Sequence, residues 1–193
     1  MKKKVVKIIL EFMIAVCLFV CGGIVLLGQP VKAEAAIVTN SGTCGENLTW
    51  ALDDEGTLTI SGTGAMENYE QFKAPWYKLK KSIISVKIEY GVTTIGETAL
   101  CCLDNLTNVS IPNTVTTIGF AAFNQCLKLQ TVYLPNSVKT IENSAFGHCW
   151  ELNSINIPEN VTMIGEYAFY DCKILHSINI PYSVTNIGER AFY

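Results

Sequence analysis

Apolar residues recur along this chain at a fixed interval. Ile83, Leu106, Leu129, Leu152 and Leu175 stand 23 residues apart, and so do Ile95, Ile118, Ile141, Ile164 and Ile187. A period of this size marks a solenoid, in which each unit is one coil that buries its apolar face by stacking on its neighbours. Within "LTNVSIP", Val109 and Ile111 alternate with Asn108 and Ser110, which predicts a short strand with one buried face. Pro112 ends that strand, because proline has no N–H to give the next ladder bond. "VTTIG" supplies Val115 and Ile118 to the interior through a second short strand. "FAAFNQC" places Ala122, Phe123 and Cys126 at i, i+1 and i+4, the spacing of one tight helical turn.

Stacking such coils about 4.8 Å apart predicts columns of identical positions. Val86, Val109, Val132, Ile155 and Ile178 form one, Val92, Val115, Val138, Val161 and Val184 a second, and Leu100, Phe123, Phe146, Phe169 and Phe192 a third. A column of Ala99, Ala122, Ala145, Ala168 and Ala191 leaves room for the rings. Gly96, Gly119, Gly165 and Gly188 share a position with Glu142. A left-handed backbone there would cost Glu about 1–2 kcal/mol, so close packing or a mild preference is the better reading of these glycines.

Residues 36–82 break the period. "LTWAL" and "TLTIS" alternate around "DDEG", which predicts a β-hairpin within residues 48–60. An end coil exposes its core, so a hairpin here reads as the N-terminal cap of the coils at 83–193, with Trp76 and Tyr77 at the junction. The last repeat, from Ile180, is incomplete.

The first 35 residues read as a secretory signal peptide. Lys2, Lys3, Lys4 and Lys7 precede an apolar run from Ile8 to Gly28, and Ala33 and Ala35 give a cleavage site after Ala35. An uncleaved membrane span and a lipid on Cys21 are the alternatives. Removing the leader takes away five of the 14 basic and two of the 17 acidic residues, leaving 9 against 15 and a net charge of −6. A chain of that sign has no basic field for phosphates, so nucleic acid is not expected as a partner. Lys73, Lys78, Lys80 and Lys81 form a solvated linker.

The sequence "IPNTVTTIGFAAFNQC", returning as "LPNSVKTIENSAFGHC" and "IPENVTMIGEYAFYDC", closely resembles the BspA-type, or Treponema-type, leucine-rich repeat. "GENLTWALDDEGTLTISGTGAMENY" with "APWY" resembles the leader that precedes such repeats. The likeness runs over about residues 42–193. It implies a β-rich solenoid of leucine-rich repeats in a secreted or cell-surface bacterial protein that attaches to a host matrix glycoprotein, a cell-surface protein or a glycan. A spacer, or a truncated piece of a larger surface protein, is the alternative function. The resemblance brings no catalytic residue and no fixed binding motif.

The chemistry-bearing residues point the same way. Cys126, Cys149 and Cys172 share one repeat position and read as a buried column of small side chains, since a 23-residue spacing is not a zinc signature. His148 and His176 occupy different repeat positions and read as surface residues. The chain carries no G-x-S-x-G, H-E-x-x-H or phosphate loop, so catalytic, metal and cofactor sites are not expected. The outward face of the strands is then the candidate binding surface. It carries Asn108, Thr131, Ser154 and Ser177 in one column and Ser110, Tyr133, Asn156 and Asn179 in the other, with Tyr133 as an aromatic anchor.

Overall fold

A computed structural model of the chain describes residues 36–193; the signal-peptide reading lies outside them. The polypeptide from Ala36 to Tyr193 forms one compact unit. It is a β-solenoid with two sheets running along its length.

The first sheet starts as an antiparallel meander of β1 (Val38–Gly45), β2 (Leu48–Asp53) and β3 (Thr57–Gly62), and β2–β3 is the predicted hairpin. β1 was not legible in the sequence because all but its last two residues face solvent at least in part. From β3 the sheet turns parallel through β5 (Ser85–Ile88), β7 (Asn108–Ser110), β9 (Thr131–Val132) and β11 (Ser154–Ile155). The cap thus donates its last strand directly to the first coil, leaving no seam between antiparallel and parallel parts.

The second sheet is parallel throughout: β4 (Gly64–Ala65), β6 (Val92–Ile95), β8 (Thr117–Ile118), β10 (Thr140–Ile141), β12 (Met163–Ile164) and β13 (Asn186–Ile187). Its register aligns Ile95, Ile118, Ile141, Ile164 and Ile187, as the period requires. The predicted columns fill the interior as far as the coil of Phe169, while their last members Ile178 and Val184 are half-buried and Phe192 is exposed. Val92, Val115, Val138 and Val161 are fully buried, as are Leu100, Phe123 and Phe146. The phenylalanines stack face to face, with ring centroids 5.2 Å apart for Phe123–Phe146, 5.5 Å for Phe146–Phe169 and 5.3 Å for Phe169–Phe192.

The third side of the coil departs from expectation. Residues such as Phe120–Cys126 form no helical turn. Two residues per coil instead take left-handed backbone, among them Ala121 (φ 49°) and Gln125 (φ 60°). With this backbone every second N–H points out of its own coil. Ala121, Phe123 and Gln125 donate to the carbonyls of Asn143, Ala145 and Gly147 in the next coil, while Ala122, Asn124 and Cys126 bond three residues back. A helical turn would have kept all these bonds local. The observed form makes a third inter-coil ladder, and its bonds offset the roughly 1–2 kcal/mol cost of each left-handed residue.

None of Gly96, Gly119, Gly165 and Gly188 has a left-handed backbone. A Cβ at Gly96 would stand 2.0 Å from the carbonyl oxygen of Glu67, and one at Gly119 would stand 2.7 Å from that of Ile95. Close packing between coils is what this column needs.

Candidate binding surfaces

On the open face of the first sheet, register brings Ser85, Asn108, Thr131 and Ser154 into one line, and Ser110 beside Lys87. Asn108, Ser110, Thr131 and Ser154 are exposed, and Tyr133, just past the end of β9, is 70% exposed. Three of the expected positions differ. Asn156 is half-buried, and its amide is committed to the coil below: Oδ1 accepts the N–H of Leu134 and Nδ2 donates to the Leu134 carbonyl, both at 2.8 Å. It extends the backbone ladder as a peptide would and has little left for a ligand. Ser177 and Asn179 are exposed, but the first sheet ends at β11 and no strand carries them. Ile178, which should anchor that strand inward, is only half-buried.

The third side carries a cluster that the sequence reading missed. His148 Nδ1 lies 3.1 Å from Asp171 Oδ2, and the indole Nε1 of Trp150 donates to the same oxygen at 2.9 Å. These contacts, with the Lys173 ammonium nearby, hold the Asp171 carboxyl below its ordinary 3.8. Lys173 Nζ sits 3.7 Å from the centre of the Trp150 ring, a cation–π contact. Tyr170 meets His148 edge-on and stacks on Tyr193 at 5.5 Å. The signal was available: 148 and 171, 150 and 173, and 170 and 193 are each one period apart. His148 is therefore a partner of Asp171 and not a free surface residue, while His176 is exposed as expected.

All six cysteines of the described residues are free thiols. Cys126, Cys149 and Cys172 donate to the carbonyls of Leu100, Phe123 and Phe146 at 3.1, 3.2 and 3.2 Å. Burial pushes Cys126 and Cys172 up to about 12, and Cys149 well above its ordinary value. These are structural thiols that serve as weak donors along the stack.

Three hollows run end to end along the corner between the second sheet and the turn side. The first, about 350 Å³, lies between the cap segment at Tyr69–Gln71 and the coils at Glu97, Thr98 and Phe120. The second, about 400 Å³, shares Glu97 and Phe120 with it and adds Glu142, Asn143 and Met163. The third, about 480 Å³, shares Asn143 and Met163 and continues to Glu166 and Ile187.

The family model of the BspA type leucine-rich repeat region matches six copies over residues 71–193. The chain belongs to this family. Among solved structures it is similar to a leucine-rich repeat protein from Eubacterium ventriosum, at 35% identity and a TM-score of 0.68, over 80% of this chain and 40% of that one. It is also similar to the pneumococcal vaccine antigen PcpA, at 17% identity and a TM-score of 0.50, over 74% of this chain and 42% of that one. A leucine-rich cell surface protein from Faecalibacterium prausnitzii matches at 21% identity and a TM-score of 0.47, over 83% of this chain and 52% of that one. The chain thus spans well under two thirds of these proteins. No functionally curated protein matches it.

Within this BspA-type repeat, 23 residues close one coil and three hydrogen-bonded sides hold it to the next.

Proposed function

We propose that this protein is a non-catalytic binding module of the bacterial cell surface that attaches to a host or neighbouring-cell protein or glycan. The observation that carries this reading is the parallel array of exposed small polar residues at Asn108, Ser110, Thr131 and Ser154, with the exposed Tyr133 beside it. A fold whose coils are held by ladders and a stacked core presents such an array rigidly, which lowers the ordering cost of binding. The buried thiols of Cys126 and Cys149 are bonded to backbone carbonyls, which favours a structural role for them over chemistry. Membership of the BspA-type family and the predicted leader support the surface location.

A printed array of matrix glycoproteins and glycans, probed with the purified protein, tests this reading. Saturable retention on a defined spot, weakened by Tyr133→Ser, is the expected result. Retention on every spot or on none would point instead to the spacer reading.

A further inference from the structure

In a repeat fold, the residues that break a column without serving the core show where selection acts on something besides stacking. Three such breaks meet at one place. The position occupied by Glu97, Asn143, Glu166 and Glu189 carries Phe120. The position held by Thr94, Thr117 and Thr140 carries Met163, and the glycine column carries Glu142. Phe120, Glu142 and Met163 all line the central hollow of the corner groove. The core requires none of them: Phe120 is 45% and Met163 37% exposed, against the complete burial of the stacked Phe123 and Phe146.

The groove has a definite chemistry. Apolar side chains (Phe120, Met163, Ile187) alternate along it with carboxylates (Glu97, Glu142, Glu166). None of its lining residues is basic. Among the described residues no Lys or Arg pairs with Glu97, Glu142 or Glu166; the side-chain contact of Glu97 is with the Asn68 amide at 3.1 Å. Four coil spacings of about 4.8 Å give a length of roughly 19 Å, the span of about six extended residues. An array of unneutralised carboxylates beside exposed apolar side chains is complementary to one kind of occupant.

We propose that this corner groove binds an extended basic segment of a partner protein. Its Lys or Arg side chains meet Glu97 and Glu142, and its interleaved apolar side chains cover Phe120 and Met163. The inference rests on the reading of the protein as a binding module and adds the corner to the open sheet as a second contact surface. The carboxylates set the sign of the partner and speed its approach, while burial of the phenyl and thioether groups supplies the affinity.

The test uses fluorescence anisotropy with end-blocked peptides of about eight residues alternating Lys and Val, Lys and Ser, or Glu and Val. The Lys/Val peptide should bind the purified protein, and the other two at least about tenfold more weakly. Phe120→Ser and Glu142→Gln should each raise Kd about tenfold, the effect of losing one interface anchor. Tyr182→Ser, at a fully exposed site that does not line the groove, should leave it unchanged. Thermal melts of the variants check that the fold stays intact, which the exposure of Phe120 and the partial exposure of Glu142 favour. No Lys/Val binding, equal binding of Lys/Ser, or wild-type affinity in both groove variants would each overturn the proposal. If an array partner is released by Tyr133→Ser and not by Phe120→Ser, the groove fails while the binding function stands; blank arrays and blank peptides sink both.

Discussion

The indole Nε1 of Trp76 donates to the carbonyl oxygen of Ala99 at 2.9 Å. In every later coil the corresponding alanine carbonyl (Ala122, Ala145, Ala168, Ala191) accepts a backbone N–H from the coil before it. Trp76 therefore supplies with a side chain the donor that a preceding coil would have provided. Its ring is fully buried, edge-on to Trp50 at 5.8 Å and to Tyr69 at 6.0 Å.

Trp76→Phe keeps most of the apolar contact but orphans the Ala99 carbonyl, and should destabilise the protein by about 1–3 kcal/mol. Trp76→Ala should cost about 3–5 kcal/mol. Urea unfolding measures both. An unchanged stability in Trp76→Phe would mean that the hydrogen bond contributes nothing.

Phe146 lies between Phe123 and Phe169 with interplanar angles of 3° and 2°. Phe146→Ala removes a ring from the middle of the stack and should cost about 3–5 kcal/mol. Because each coil contacts only its neighbours, hydrogen exchange should accelerate in the coils around Phe146 well before it does in the β2–β3 hairpin. Uniform acceleration across the cap would show a single cooperative core.

Cys126, Cys149 and Cys172 should resist Ellman's reagent in the native state at about pH 8 and react at once in denaturant. The folded-state pKa values of Cys126 and Cys172 are raised by burial from 9.0 to about 12. Their protonated forms therefore contribute stability that is fully present below pH 9 and lost as the pH rises towards 12. Urea midpoints should fall across that window, and rapid native-state labelling of Cys126 or Cys149 would contradict the burial.

For Asp171 the sign is reversed. Its carboxyl is held below 3.8 by the His148 contact first, then by the Trp150 indole and Lys173. Its contribution is present above the ordinary value and is lost as acid carries the pH through the lower folded value. A carboxyl NMR titration should place the Asp171 midpoint below 3.8, and Trp150→Phe should raise it. An unchanged midpoint in that variant would remove the indole from the cluster.

The partners on the turn side follow arithmetically from the repeat, since His148 with Asp171 and Trp150 with Lys173 are one period apart. That step needs the knowledge that side chains there project outward at every coil. The expected helical turn pointed elsewhere, because an i, i+4 apolar spacing fits a helix and equally fits a turn with left-handed residues four apart, such as Ala121 and Gln125. Inter-coil bonds decide between the two, and they join residues distant in sequence.

The sequence by itself determined the coil: its 23-residue length, its inward columns, the close-packed glycines and the hairpin cap. These depend on which side chains must leave water, and a strict period repeats that requirement legibly. Tertiary structure decided what lies between the columns. It alone showed that Asn156 is spent on the Leu134 backbone, that the first sheet ends at β11, that Trp76 completes a ladder, and that Phe120, Glu142 and Met163 share one groove. Each of these depends on distances between exposed groups of different coils, where burial imposes no pattern for the sequence to record.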